Sequence, residues 1–167
     1  MKPYFGFFIG ESLSLYLFPL LEPIINAFFL LFIPVVVYRK TPAQLGFKNF
    51  GKGFLYGLTA LMFLPFLRII PSPAPFIDGF SQAVFFKGFF YSVFENEMLF
   101  PKVSRLNLIS SFLYFLVFFA VSGGSFYALS FFAVSFISGL LYEESGSIVS
   151  PIIFHVAFLF SSLSAIL

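Results

Sequence analysis

Leu106-Asn-Leu-Ile-Ser-Ser-Phe-Leu-Tyr-Phe-Leu-Val-Phe-Phe-Ala-Val121 carries no charged side chain and is bounded by Arg105 on one side and Ser122-Gly123-Gly124 on the other. As a helix rising 1.5 Å per residue it comes close to the ~30 Å hydrocarbon core of a bilayer. Comparable runs flank it. On the C-terminal side lie Ser125 to Tyr142, ending at Glu143-Glu144-Ser145-Gly146, and Ser147 to Leu167. On the N-terminal side lie Gly79 to Phe100, carrying Lys87, Glu95 and Glu97, and Gly53 to Ile70, closed by Pro71-Ser72-Pro73. A first run reaches Val37, holds Glu11 and Glu22, and is interrupted by Pro19, Pro23 and Pro34. One long kinked helix or two short helices both fit that run. All these runs are too long and too continuously apolar for barrel strands. The expected fold is therefore all-α: a polytopic transmembrane helical bundle of about six membrane helices.

Composition points the same way. Hydrophobic residues make up 60% of the 167 residues and charged residues 10%, with 31 phenylalanines. A soluble domain of this size carries about a quarter charged residues. The expected solvent is lipid, and residues 1–167 form one integral membrane domain in the cell membrane. Cysteine is absent, which excludes disulfides, thiolate metal sites and a cysteine nucleophile. The net charge of +2 is too small and scattered for a nucleic-acid partner. Met1-Lys2 before an apolar run resembles a secretory signal, but the run lacks a small-residue cleavage site and is read as retained. Arg39, Lys40, Lys48 and Lys52 place residues 39–52 on the cytoplasmic side; span counting then puts Lys102, Arg105, Glu143 and Glu144 inside as well. Arg68 falls near the outer end of its helix, against that rule.

Ionisable side chains inside apolar runs are the candidates for chemistry, because each is costly to keep there. His155 is the one histidine and lies within the last run. Ser147 after Gly146 reads as its N-cap, with Pro151 in the first turn. Two readings stand: a functional group, or a neutral imidazole bonded to a neighbouring hydroxyl or backbone carbonyl. Glu97, if the helix continues through Phe100, shares a face with Phe94, Val93 and Phe90. A carboxylate on that face is desolvated and suited to proton transfer. The plain alternative pairs Glu97 with Lys102 or Arg105. Glu95 falls on the side of Lys87 and reads as its charge partner. One histidine cannot make a His-x-x-x-His zinc face, no phosphate loop or nucleophile elbow is present, and no metal or cofactor is expected.

Three stretches together resemble the CAAX protease and bacteriocin-processing family of intramembrane endopeptidases, over about residues 40–165. Thr41-Pro-Ala-Gln-Leu-Gly-Phe-Lys48 is similar to a Leu-Gly-Leu segment of that family. Asn96-Glu97-Met98-Leu99-Phe100-Pro101 is matched to its Glu-Glu-x-x-Phe-Arg motif. Tyr142 to His155, with Gly146-Ser147 before the histidine, resembles its closing loop and helix. The resemblance implies that Glu97 activates water while His155 stabilises charge on the peptide carbonyl. This chain departs from the family at Asn96 for the first Glu and Pro101 for the Arg. It also has Phe118 for the His of Phe-x-x-x-His and Leu159 for the Asn of His-x-x-x-Asn. The implied function is an endopeptidase homologue acting on a membrane-associated peptide, with catalysis weakened or lost. The alternative is a non-catalytic membrane protein that binds a membrane-anchored peptide or protein in a vestigial cavity. A proton-linked carrier using Glu97 and His155 as a relay is a third reading, disfavoured by the absence of a visible repeat. Expected partners are membrane lipids and such a peptide or protein.

Overall fold

The computed structural model describes residues 11–62, 64, 73–121 and 128–163. Helices α1 (Glu11–Phe32), α2 (Phe50–Leu61), α3 (Ala74–Ala83), α4 (Phe90–Val93), α5 (Arg105–Val121), α6 (Ala128–Ser145) and α7 (Val149–Leu163) dominate it. A two-stranded hairpin, β1 (Met98–Phe100) and β2 (Val103–Ser104), sits between α4 and α5. The chain is mostly helical, as the apolar runs require. The membrane-spanning part of the expectation is not met by helix length: among the described residues no helix is long and apolar enough to cross a membrane. Helix α5 has 17 residues and α7 has 15, while the 18 of α6 include Glu143 and Glu144 in its last turn. Arg68, the Ser122-Gly123-Gly124 turn and Met1-Lys2 lie outside the described residues.

From Glu11 on, the first run forms one helix. Helix α1 passes through Pro19 and Pro23 and leads into a π-helical turn, Ile33–Val37, that holds Pro34. The wider turn is closed by Tyr38 N–H donating to the Ile33 carbonyl at 3.0 Å. A proline has no N–H to offer, and a π turn is a common way to absorb such a break.

The run Gly79 to Phe100 needs correction. Helix α3 continues through a π-helical segment, Val84–Phe89, into α4, and the helix stops at Val93. Phe94 is already extended, at φ −101° and ψ 144°. The Lys40 ammonium donates to the Ser92 carbonyl at 2.8 Å, meeting one of the carbonyls that a helix end leaves open. Pro101 explains the rest. It biases Phe100 away from helical geometry, and Pro101-Lys102 form the hairpin turn, with Lys102 at φ 73°. Proline followed by a residue of positive φ is the signature of a type II turn. Glu97 is thus not on a helix face at all.

Helix α5 packs on α6, α6 on α7, and α7 on both α2 and α3, with α1 against α3. Phe86, Tyr114 and Phe131 form one core cluster, in which the Phe118 and Phe131 rings stack at 4.0 Å. Leu45, Val84, Phe89 and Ile148 form a second. Outward faces stay apolar: Phe28, Leu55 and Phe112 are each more than half exposed. Lys102 pairs with Glu144 at 3.0 Å, and Gly53 sits against Ser147.

Helix α3 reaches α7 through Gly79, where a Cβ would stand 2.8 Å from the Val156 backbone. Gly79→Ala should lower stability by about 1–3 kcal/mol through overpacking. Gly51, with nothing within 4 Å of a Cβ, should accept alanine without loss or with a gain of up to ~1 kcal/mol. Melting temperatures of the two purified variants test this; similar destabilisation of both would contradict the packing.

Candidate functional site

The polar residues of the opening stretch, Asn107, Ser110, Ser111 and Tyr114, fall at helical positions i, i+3, i+4 and i+7 and so share one face of α5. All four are fully buried. Facing them is Lys87 from the π-helical segment, also fully buried. Its ammonium donates to Asn107 Oδ1 at 3.0 Å, Ser110 Oγ at 2.8 Å and Ser111 Oγ at 3.1 Å, which uses all three N–H donors of a lysine. The acceptors are anchored in turn. Ser110 donates to the Asn107 carbonyl and Ser111 to Asn107 Oδ1, while Asn107 Nδ2 donates to the Phe136 carbonyl of α6. Gly139 makes the approach possible, since a Cβ there would meet Asn107 Oδ1 at 1.8 Å.

A second layer lies beside this one. Ser104 precedes α5 and its Oγ accepts the Asn107 N–H at 3.1 Å, the standard N-cap contact. Ser104 also donates to Glu143 Oε1, which accepts from the Tyr91 hydroxyl at 2.7 Å. Glu143 is the carboxylate that interacts electrostatically with Lys87. The expectation that Glu95 pairs with Lys87 is corrected: Glu95 is exposed, because the helix has ended before it.

His155 completes the interior. Its Nδ1 lies 2.8 Å from Ser138 Oγ and 3.3 Å from the Pro151 carbonyl, and its ring meets Tyr114 edge-on at 5.5 Å. The Tyr114 hydroxyl donates to Gln82 Oε1 at 2.5 Å. His155 Nε2 and Ser135 Oγ are buried with no hydrogen-bond partner among the described residues. The plain reading of the histidine, an imidazole held by a hydroxyl and a carbonyl, is the arrangement observed. Ser147 Oγ accepts the Val149 N–H at 3.3 Å, so the expected cap operates, with α7 starting at Val149.

Glu97 is elsewhere. Its side chain is 69% exposed and pairs with Arg105 at 3.4 Å. No contact joins Glu97 to His155 among the described residues, and the structure does not bring the two candidates into one hollow. Among those residues no three His, Asp or Glu side chains converge as metal ligands. Outside the helices, the Glu144 carboxylate bonded to Lys102 holds that ammonium above its ordinary range.

This arrangement defines a mostly helical protein with a buried polar centre between its C-terminal helices. The type II CAAX prenyl endopeptidase Rce1-like family matches residues 73–161, over half of the chain, and the chain belongs to that family. No curated protein and no solved structure matches it. The matched range contains a second stretch with the Glu-Glu-x-x-Phe-Arg spacing: Gln82-Ala83-Val84-Phe85-Phe86-Lys87. Unlike Asn96 to Pro101, this stretch is helical and puts both Gln82 and Lys87 in the polar centre. Phe86 and Lys87 keep the aromatic and the cation, while Gln82 and Ala83 stand in the two acidic places. A search for acids passes over it; the Phe-Lys pair and the polar stripe of α5 were the signals available.

Asn107→Ala should cost about 2–3 kcal/mol, because it strips a hydrogen bond from a buried charge. Lys87→Met, which removes the charge itself, should cost less. Glu97→Ala should stay below about 1 kcal/mol as an exposed ion pair. Melting temperatures of the three variants rank them, and a Glu97 effect as large as that of Asn107 would contradict the assignment.

Proposed function

We propose that this chain is a multi-pass membrane member of the family that no longer hydrolyses peptides and instead holds a membrane-anchored peptide or protein. Membership in a membrane-embedded family and the apolar outward faces of α1, α2 and α5 support the location. The observation that carries the loss of chemistry is Gln82. A carboxamide at this place accepts the Tyr114 hydroxyl proton in a hydrogen bond, but it cannot take a proton from water at neutral pH. Ala83 offers nothing in its stead. Phe118 and Leu159 bring no donors where the family motifs have His and Asn, and one lost oxyanion donor alone typically slows acyl chemistry 10²–10³-fold. Glu97 and His155 as base and electrostatic helper would have to act from separate places, one in solvent beside Arg105 and one in the core beside Ser138.

Purified chain in liposomes, incubated with prenylated and unprenylated membrane-anchored peptides, should leave both intact. Glu97→Gln and Gln82→Ala should behave as the parent does. Cleavage that disappears in Glu97→Gln, or in His155→Ala, would overturn the reading. Partner binding predicts co-purification of one membrane polypeptide at fixed stoichiometry.

A further inference from the structure

Helices α2 and α6 do not close on each other along their whole length. Between them lies a cleft of about 600 Å³, within the range of sites that hold small molecules. Leu55, Ala60, Ile137, Leu140 and Leu141 form its walls. Thr59 also lines it, but its hydroxyl donates back to the Leu55 carbonyl, so the wall offers no free donor there. Such an interior suits hydrocarbon.

One end of the cleft differs. Tyr56 and Glu144 line it there. The Lys52 ammonium lies 5.6 Å from the Tyr56 ring centroid, at cation–π distance. Lys102 pairs with Glu144 at 3.0 Å and lies near Tyr56. Two ammoniums and one carboxylate therefore meet at the mouth, leaving one positive charge in excess. The Lys102 side chain is 75% exposed and free to reach a further anion. An apolar slot with one net positive charge at its mouth is complementary to a long hydrocarbon tail that ends in a single negative charge.

We propose that the cleft between α2 and α6 binds an acyl chain of an anionic glycerophospholipid, whose phosphate sits between Lys52 and Lys102. The inference rests on the membrane-embedded reading above and adds a defined lipid site to it. Exposed Phe54, Leu55 and Leu58 on α2 and Ile137 on α6 keep the slot open sideways, so that a lipid enters from the surrounding layer without any rearrangement of the polar centre.

The full chain is reconstituted in nanodiscs of mixed phosphatidylglycerol and phosphatidylcholine, and the lipids retained on release are counted by native mass spectrometry. Phosphatidylglycerol should be retained about ten-fold over phosphatidylcholine, as expected for two basic side chains at a lipid surface. Lys52→Ala combined with Lys102→Ala should abolish the preference, Glu144→Gln should increase it, and Ile137→Trp, which fills the slot, should reduce retention of both lipids. Equal retention of the two lipids by the parent chain, or a preference unmoved by the lysine and Trp substitutions, overturns the site while leaving membrane embedding intact. A chain that does not enter nanodiscs at all overturns both.

Discussion

The contact on which the interior depends is that of the Lys87 ammonium with Asn107, Ser110 and Ser111. An ammonium taken out of water loses solvation worth several kcal/mol, and attraction to neutral oxygens offsets this only if every donor is met. Here every donor is met, and each acceptor is held by a further bond. The consequence is geometric. Lys87 comes from the segment joining α3 to α4, its acceptors come from α5, and Asn107 reaches the backbone of α6. Sliding α5 by one residue along its neighbours would turn the serines away and leave a buried charge bare. A bundle of apolar helices has many nearly equivalent packings, and a polar cluster of this kind selects one.

The π-helical segment Val84–Phe89 belongs to the same constraint. A π turn inserts an extra residue and rotates everything after it relative to an α-helix. Gln82 lies before the insertion and Lys87 within it, yet both face the Tyr114 stripe of α5. Gly139 supplies the matching concession on α6, because only a residue without a Cβ leaves Asn107 its place. Three local irregularities, a π turn, a glycine and a polar face on an apolar helix, are mutually required.

Much of the architecture was legible because apolar length and turn residues act locally. Helices α5 and α6 start and stop within a few residues of the runs that suggested them and α7 starts at Val149, whereas α2 ends at Leu61, before the Ile70 that its run suggested. The candidate site was less legible, for two physical reasons. Reading Glu97 on a helix face assumed that the helix runs on to Phe100, whereas Pro101 imposes a turn that unwinds the residues before it. And the buried stretch that shares the motif's spacing, Gln82 to Lys87, holds no acid, so acidic residues give no pointer to it. The plain reading of His155 anticipated both kinds of partner seen, a hydroxyl and a carbonyl, since one imidazole in an apolar helix has few ways to be satisfied.

On the proposed non-catalytic reading, Gln82 suits the fold better than an acid would. A glutamate poised to deprotonate water in an apolar interior is a destabilising group, and proteins carry such groups for function rather than for stability. Glutamine has nearly the same shape and still offers an oxygen to the Tyr114 hydroxyl. It carries no charge, so the desolvation penalty of the carboxylate disappears while the hydrogen bond remains. Lys87 is different, because its charge orients the acceptors of α5 and, through Asn107, reaches the backbone of α6. On the non-catalytic reading, the acid of the motif is the part that the fold can do without, while the cation still fixes the register of α5.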